Sequence, residues 1–243
     1  MEKRTNSSRK GILGNTLLIL AIALVSVTAV TYAWFSISDN ARLSMMRMDV
    51  TTGPSLRMDL VPHATFEEYR RTLTFREIAD RIRTDTGVDI ASVPIEPVTT
   101  RDGVSFVFED GSAASYRNGT YVEFTLHFMS VGDMYVHLTS TSSKNADDGT
   151  RIWSDTNRTL SEAMRLSVTK DTDTFIYDPG TMDIEGMTDS NTVFFIPDAT
   201  DVPVVIRVWI EGTDPACTND LKGSDYSVRM RFEGSDENNQ PLT

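Results

Sequence analysis

The segment VEFTLHFMSVGDMYVHLT, residues 122–139, decides the fold class of this chain. In its first half every second side chain is apolar, and the side chains between them are mostly polar. The apolar positions are Val122, Phe124, Leu126 and Phe128. A period of two residues is typical of a β-strand that buries one face and exposes the other. The segment therefore predicts a protein built from β-strands.

The middle of this segment predicts a hairpin. The stretch SVGD, residues 130–133, has the composition of a turn, and the apolar alternation returns from Val136 onward. A turn centred here places Phe128 opposite Val136, which keeps one apolar face continuous across both strands. The same register places His127 opposite His137 on the outer face, with Cβ atoms about 4.5–5.5 Å apart.

A helical insertion interrupts the strands. Two capping-box patterns, Thr65 with Glu68 and Thr74 with Glu77, precede apolar residues that recur at helical spacing. We therefore predict a short helical insertion at about residues 65–84, made of two short helices or of one helix broken near Thr74.

The remaining segments alternate or are apolar over short lengths, and turn residues separate them. The most apolar run is VVIRVWI, residues 204–210, which we place at the centre of a sheet. Eight or more short strands without a regular alternation of strand and helix predict an all-β fold. We expect one domain over residues 34–243, an antiparallel, jelly-roll-like β-sandwich.

The N-terminus has the composition of a signal peptide or a membrane anchor. A basic leader precedes an uncharged, largely apolar run at residues 11–38. Thr31 and Ala33 supply small residues at both recognition positions before a cut, which would fall before Trp34. Residues 1–33 are therefore predicted to be a cleaved signal peptide. A retained anchor is the alternative, because the apolar run reaches the roughly 20 residues that span a bilayer.

The charge of the chain excludes some partners. The net charge is −12, and residues 1–33 contain four basic residues and one acidic residue, so the chain without them has a net charge of −15. This sign argues against binding to nucleic acid, whose phosphates require a basic surface. It also argues against simple electrostatic adhesion to anionic lipid. Cys217 is the only cysteine, so no intrachain disulfide can form.

The residues around the cleavage position resemble the exported TasA and camelysin family of Gram-positive bacteria. The resemblance rests on Thr31-Tyr32-Ala33, on Trp34-Phe35-Ser36-Ile37-Ser38-Asp39, and on the strand-like run from Ala41 to Val50. It implies a β-sandwich that serves as a secreted fibre subunit or a surface protein of biofilms. It further implies donor-strand exchange, in which Trp34, Phe35 and Ile37 complete the sheet of the next subunit. The alternative is that the residues from Trp34 to Val50 form the first strand of their own sandwich.

A second resemblance lies at VWIEGTDPACTN, residues 208–219. This stretch is similar to a segment of uncharacterised exported clostridial proteins with the same kind of leader, and it implies no activity. The residues that we single out are Trp209, Glu211, Gly212, Asp214 and Cys217. We expect Glu211 and Asp214 to accept backbone N–H bonds that shape the turn, and Cys217 to be a packed turn residue.

The sequence predicts no enzyme and no cofactor. Camelysin is described as a metallopeptidase, but this sequence has no His-Glu-x-x-His pattern and only three histidines. His127 and His137 are weak metal candidates, with Glu123 or Tyr135 as neighbours in the predicted hairpin. The alternative is that both histidines are polar residues on a solvated sheet face.

Three functions stay open from the sequence. The leading one is an exported structural or cell-surface protein, a self-assembling fibre or biofilm-matrix subunit that binds other copies or other surface proteins. The second is a membrane-anchored extracellular binding or adhesion module. The third is a pilin-like subunit cut after Gly11, although Thr16 stands where the main bacterial pilins carry glutamate. All three place the protein outside the cell or at its surface.

Overall fold

A computed structural model describes residues 18–21, 42–50, 55–141, 149–221 and 223–242. The strands, numbered in chain order, are β1 Arg42–Val50, β2 Leu56–Asp59, β3 Thr72–Leu73, β4 Pro97–Thr100, β5 Phe106–Val107, β6 Val122–Ser130, β7 Met134–Leu138, β8 Arg151–Trp153, β9 Met164–Lys170, β10 Asp173–Tyr177, β11 Thr192–Ile196, β12 Val202–Glu211 and β13 Asp225–Ser235. The helices are α1 Phe75–Thr86 and α2 Arg158–Ala163. Four short 3-10 turns lie at Phe66–Glu68, Tyr116–Asn118, Asp189–Asn191 and Asn219–Leu221.

The strands form two sheets. Sheet I has the order β11-β7-β13-β1-β3, and β8 also pairs with β13. Sheet II has the order β10-β9-β12-β4-β5, with β6 paired to β12 and β2 paired to β6. The prediction of an all-β fold is confirmed. Most pairs are antiparallel, but β1 lies parallel to β13 and β4 lies parallel to β12, so the prediction of a wholly antiparallel sandwich is wrong at these two pairs.

The core lies between the two sheets. The Phe128 ring of sheet II packs against the Phe194 and Phe232 rings of sheet I, with centroids 5.1 and 5.0 Å apart. The strand β12 is central, as predicted, because β9 pairs with one of its edges while β6 and β4 pair with the other. Its apolar run is buried because neighbouring strands and the facing sheet cover it.

The predicted hairpin at residues 122–139 does not form. Strand β6 pairs with β12 and β2 in sheet II, whereas β7 pairs with β11 and β13 in sheet I. The turn between them therefore carries the chain from one sheet to the other. The alternation of apolar residues identifies the face that each strand buries, and this prediction was correct. It does not identify the pairing partner, because two strands that face each other across a core show the same alternation as two paired strands.

The helical insertion lies where it was predicted and is interrupted before Thr74, as expected, but its first part is not an α-helix. The first capping box leads only to the 3-10 turn at Phe66–Glu68, and the chain is then extended in β3, where Leu73 pairs with Met48 of β1. The second box leads to α1, which buries Ile78 and Ile82 and ends at Gly87 in the left-handed conformation, with φ of 79°. Pairing with β1 and complete burial of Leu73 outweigh the local helical pattern before Thr74.

The helix α2 has no counterpart in the sequence prediction. It is only six residues long, and the Asn157 side chain caps it by accepting a hydrogen bond from the backbone N–H of Thr159, at 3.0 Å. A helix of this length offers too few residues to establish a helical period.

A small second hydrophobic cluster covers the outer face of sheet II. It consists of Val98, Phe106, Tyr121 and Trp209. The Phe106 ring lies edge-on to the Trp209 ring, with centroids 5.1 Å apart. The segment from β4 to the 3-10 turn at Tyr116–Asn118 therefore acts as a cover for the β12 tryptophan.

Within residues 1–33, the structure describes Leu18–Ala21, which are helical and exposed. No helix in the described part of the chain has the length and apolar composition needed to cross a membrane.

Candidate functional site

The loop after β12 is shaped by its own carboxylates. The Trp209 indole donates a hydrogen bond from Nε1 to Oε2 of Glu211, at 3.1 Å. The other oxygen of Glu211 accepts hydrogen bonds from the backbone N–H and the hydroxyl of Thr213, at 3.2 and 2.7 Å. Oδ1 of Asp214 accepts a bond from the backbone N–H of Ala216, at 2.7 Å. These bonds are the structural role that the sequence predicts for the two carboxylates.

Two further residues of this loop are also structural. The backbone N–H of Gly212 donates to the carbonyl of Val98, at 2.9 Å, which ties the loop to β4. Cys217 packs against the main core, and its backbone N–H donates to the carbonyl of Asp214. Burial raises the pKa of the Cys217 thiol to about 12, and the charges of Asp214 and Glu211 act in the same direction. The thiol is therefore protonated at neutral pH and is a poor nucleophile.

A groove of about 840 Å³ opens beside this loop. Its walls come from β8, from α2 and the start of β9, from the loop at residues 178–181, and from residues 214–216. We call it the β8–β9 groove. Its volume is within the roughly 300–1,000 Å³ that is usual for small-molecule sites.

Arg165 forms the floor of the β8–β9 groove. Its guanidinium makes a close ion pair with Asp214 and lies 3.2 Å from Asp178. Nη1 also donates to the carbonyls of Glu162 and Met164, at 2.6 and 2.9 Å. The side chain is only 12% exposed, so these partners fix its position and neutralise its charge.

Asp178 fixes the opposite wall. Its Oδ1 accepts a hydrogen bond from the backbone N–H of Gly180 at 2.8 Å, and its Oδ2 accepts one from the Thr181 hydroxyl at 2.9 Å. The carboxylate that pairs with Arg165 thus also holds the turn after β10. Floor and wall are connected by one polar network, which makes the groove preformed.

The outer part of the groove combines an aromatic ring with carboxylates. Trp153 lies on the outer face of β8, where the guanidinium carbons of Arg151 and Arg229 are 5.4 and 6.0 Å from the centroid of its ring. Asp155 and Glu162 line the same groove and are exposed. Among the residues that the structure describes, neither carboxylate has a hydrogen-bond or ion-pair partner. This site was not predicted from the sequence, since its residues come from separate segments that meet only in the folded chain.

The two predicted metal candidates are not neighbours. His127 lies in sheet II and His137 in sheet I, so the prediction that they face each other is wrong. The cause is the chain crossing between the sheets at residues 130–133. Within the described ranges there is no group of three or more His, Cys, Asp or Glu side chains that could hold a metal ion.

His127 belongs to a polar cluster at the start of β12. Its Nδ1 lies 3.1 and 3.0 Å from the two carboxylate oxygens of Asp201. The Tyr69 hydroxyl donates to Oδ1 of the same carboxylate at 2.7 Å, and burial raises the pKa of Tyr69 to about 12. This network attaches the segment before β3 to the first residues of β12, which is a structural role.

The third histidine lies beside this cluster. Nε2 of His63 is 3.2 Å from Oδ2 of the buried Asp59, and Nε of Arg70 is 3.1 Å from the same oxygen. Both contacts are close, but neither has the alignment of a hydrogen bond. The Asp59 carboxylate therefore attaches two parts of the segment between β2 and β3 to the end of β2.

His137 is completely buried and fully engaged. Its Nδ1 lies 3.2 Å from both the Asn191 side-chain oxygen and the Thr188 carbonyl, and Nε2 lies 2.8 Å from the Ser235 hydroxyl. The Asn191 oxygen and the Thr188 carbonyl are acceptors, so Nδ1 carries the proton, while the Ser235 hydroxyl beside Nε2 donates to the carbonyl of Asp236 at 2.9 Å. Burial lowers the pKa of His137, so the ring is neutral at neutral pH.

The predicted cleavage and assembly residues cannot be placed. Thr31, Ala33, Trp34, Phe35 and Ile37 lie outside the described residues. The strand that follows them, β1, is part of its own sandwich and contributes buried side chains to the core. These are Leu43, Met46, Met48 and Val50.

A second surface of interest is the edge of sheet I formed by β11. Its sequence, TVFFI, contains no charge and no proline, and within the described ranges no strand pairs with its outer edge. The Phe195 ring lies 5.1 Å from the Tyr135 ring of β7, and these residues are 37% and 38% exposed. The strand β10, at an edge of sheet II, instead carries the charged Asp173.

No protein-family model matches the chain, and no curated protein matches it. A solved structure of AvmM, described as catalysing macrocyclization in alchivemycin A biosynthesis, has 12% sequence identity and a TM-score of 0.19. The similarity covers 51% of this chain and 82% of that chain. A TM-score of this size supports neither a shared fold nor a shared activity.

Proposed function

We propose that the chain is an exported structural or cell-surface protein, built on a jelly-roll-like sandwich, that assembles with copies of itself and is not an enzyme. The observation that carries the proposal is the uncharged edge of β11. Unpaired N–H and C=O groups along an edge can pair with a strand of another chain, and proteins usually protect such edges with charges, prolines or bulges. The pairing of β11 with β7 shifts register between Thr192 and Phe194. After this shift, the three residues Phe194–Ile196 pair with β7 in regular succession.

The segment after the predicted cut is suited to such pairing. Eight residues, 34–41, separate that cut from β1, and they would reach about 26 Å when extended. Phe35 and Ile37 alternate with serines, which is the pattern of a strand with one apolar face. We propose that this segment of one subunit adds to the β11 edge of the next.

In the proposed function, the subunits assemble outside the cell. Residues 1–33 direct export and hold the chain in the membrane before or without cleavage. The partners are other copies of the chain or other surface proteins. The net charge of −15 after cleavage keeps nucleic acid from being a partner.

Replacing the apolar side of the post-cleavage segment tests the proposal. The double variant Phe35→Ser, Ile37→Ser should stay monomeric while the wild type forms filaments in negative-stain micrographs. Each replaced side chain removes about 1.5–3 kcal/mol of burial from the contact. The matched control, Ser36→Ala with Ser38→Ala, changes the other side of the alternation and should still form filaments. A monomeric wild type at high concentration would refute the proposal.

A second candidate function is a binding or adhesion module. The specific observation in its favour is the β8–β9 groove, with a fixed polar floor and an aromatic wall. Structural roles explain Arg165, Asp178 and Asp214, but they do not explain why Trp153, Asp155 and Glu162 surround an open space beside them.

A further inference from the structure

We infer that the β8–β9 groove binds a short neutral or cationic saccharide. The inference rests on the second candidate function, the binding module, and does not require self-assembly. A saccharide presents two kinds of surface, hydroxyl groups around each ring and an apolar C–H face on it. A site that binds it must offer hydrogen-bond partners beside an aromatic or apolar wall.

The floor of the groove is suited to an uncharged polar ligand. Two carboxylates surround the Arg165 guanidinium, so it attracts an anion much less than an unpaired arginine would. The carboxylates of Asp178 and Asp214 each have further lone pairs that can accept bonds from ligand hydroxyls. Because protein contacts already hold these groups in place, they lose little further conformational entropy when a ligand binds.

Trp153 supplies the apolar wall. It is partly exposed on the face of β8 opposite Ile152, which is only 5% exposed, and the guanidinium carbons of Arg151 and Arg229 lie 5.4 and 6.0 Å from its ring centroid. Pro179 and Pro215 line the same groove and add apolar surface without backbone donors. The C–H face of a sugar ring gains by leaving water when it stacks against such a surface.

The rim determines the charge that the ligand can carry. Asp155 and Glu162 are acceptors without partners in the described part of the chain, and they suit the hydroxyl or ammonium donors of a ligand. Among the side chains that the structure describes, four carboxylates and two guanidinium groups line the groove, and Arg229 adds a third guanidinium beside the Trp153 ring. An anionic saccharide would meet this excess of negative charge and the net charge of the whole chain.

Titration calorimetry on the protein purified from its producing organism tests this inference. The probes are a neutral N-acetylated chito-oligosaccharide, its cationic deacetylated form, an anionic oligogalacturonate and a lysine-rich peptide. The neutral and cationic saccharides should bind, and the oligogalacturonate should bind at least about tenfold more weakly. No binding of the neutral and cationic saccharides overturns the inference. So does peptide binding as tight as theirs, which would indicate a general cation site.

Variants locate the site. Trp153→Ala should weaken binding of the neutral saccharide about tenfold or more. Asp155→Asn and Glu162→Gln should each weaken it several-fold, and these two exposed positions keep the test valid if Trp153→Ala unfolds. The matched controls are Phe195→Ala, an exposed aromatic on β11, and Asp171→Asn, an exposed carboxylate outside the groove. Unchanged affinity in all three groove variants overturns the assignment. Monomeric protein is suitable for these binding measurements. A failure of self-assembly and a failure of saccharide binding are therefore distinguishable.

Discussion

At the scale of single residues, the buried His137 links stability to pH. Burial lowers its pKa in the folded state, so the unfolded chain binds this proton more readily. Between the unfolded value of about 6.5 and the lower folded value, the free energy of unfolding therefore falls as the pH falls, by at most about 1.4 kcal/mol per pH unit. Acidic conditions destabilise the region where β7, β11 and β13 meet.

Chemical denaturation between pH 7 and pH 5 measures this effect. His137→Gln should be less stable at pH 7, because it replaces a buried ring that hydrogen-bonds to Asn191 and Thr188, and should lose the part of the pH slope that His137 contributes. The control His127→Gln, in the polar cluster at the start of β12, should keep the pH slope of stability that His137 contributes. An unchanged slope in His137→Gln would contradict this assignment.

Arg165 is the second residue whose replacement should change the free energy of unfolding. Arg165→Met leaves the carboxylates of Asp178 and Asp214 close together without their shared cation, and we expect a loss of about 1–3 kcal/mol. The double variant Arg165→Met, Asp214→Asn removes one of these charges and should recover part of the loss. Urea unfolding of the single and double variants measures both values. A double variant that is no more stable than Arg165→Met would contradict the proposed repulsion.

At the scale of elements, the capping box of α1 is the clearest local contribution to the stability of the fold. The Glu77 carboxylate accepts bonds from the backbone N–H and the hydroxyl of Thr74, at 2.9 and 2.7 Å, and these bonds lower the pKa of Glu77. We expect Thr74→Ala to cost about 1 kcal/mol. The control Thr84→Ala lies on the same helix and should change stability by less than about 0.5 kcal/mol. Equal costs at both positions, measured by thermal unfolding, would contradict the capping role.

The elements also show where a sequence is informative. The alternation in β6 and β7 and the apolar run of β12 identify strands and their buried faces, and both capping boxes are seen in the structure. The sheet to which each strand belongs depends on contacts far apart in sequence, so the supposed hairpin at residues 130–133 is a crossing between sheets. The β8–β9 groove depends on the same distant contacts, because its residues come together only when β8, β9 and the β12 loop pack.

At the scale of the whole molecule, the first and last described strands of the sandwich are neighbours in the middle of sheet I. The first described strand of the sandwich, β1, lies parallel to β13, from Arg42 opposite Asp225 to Val50 opposite Phe232. Neighbouring parallel strands need a long connection, and here the connection is nearly the whole domain. Because β1 pairs within its own sheet, the proposed donor segment lies before Arg42.

In the proposed function, cleavage of the leader sets the first residue of the donor segment. We expect the protein from its producing organism to start at Trp34, because Thr31 and Ala33 fit the recognition positions of a signal peptidase. Intact-mass measurement distinguishes this product from a chain that retains residues 1–33. A dominant retained form would favour the membrane-anchored binding module over the secreted subunit.

The most direct test of self-assembly through the β11 edge is sedimentation velocity at increasing concentration. The wild type should form species that grow with concentration, and Phe195→Lys should remain monomeric because a charge on this edge opposes strand addition. Val131→Lys, at a residue that is 57% exposed in the turn after β6, should assemble like the wild type. A monomeric wild type, or a Phe195→Lys variant that assembles as well as the wild type, would contradict the central claim.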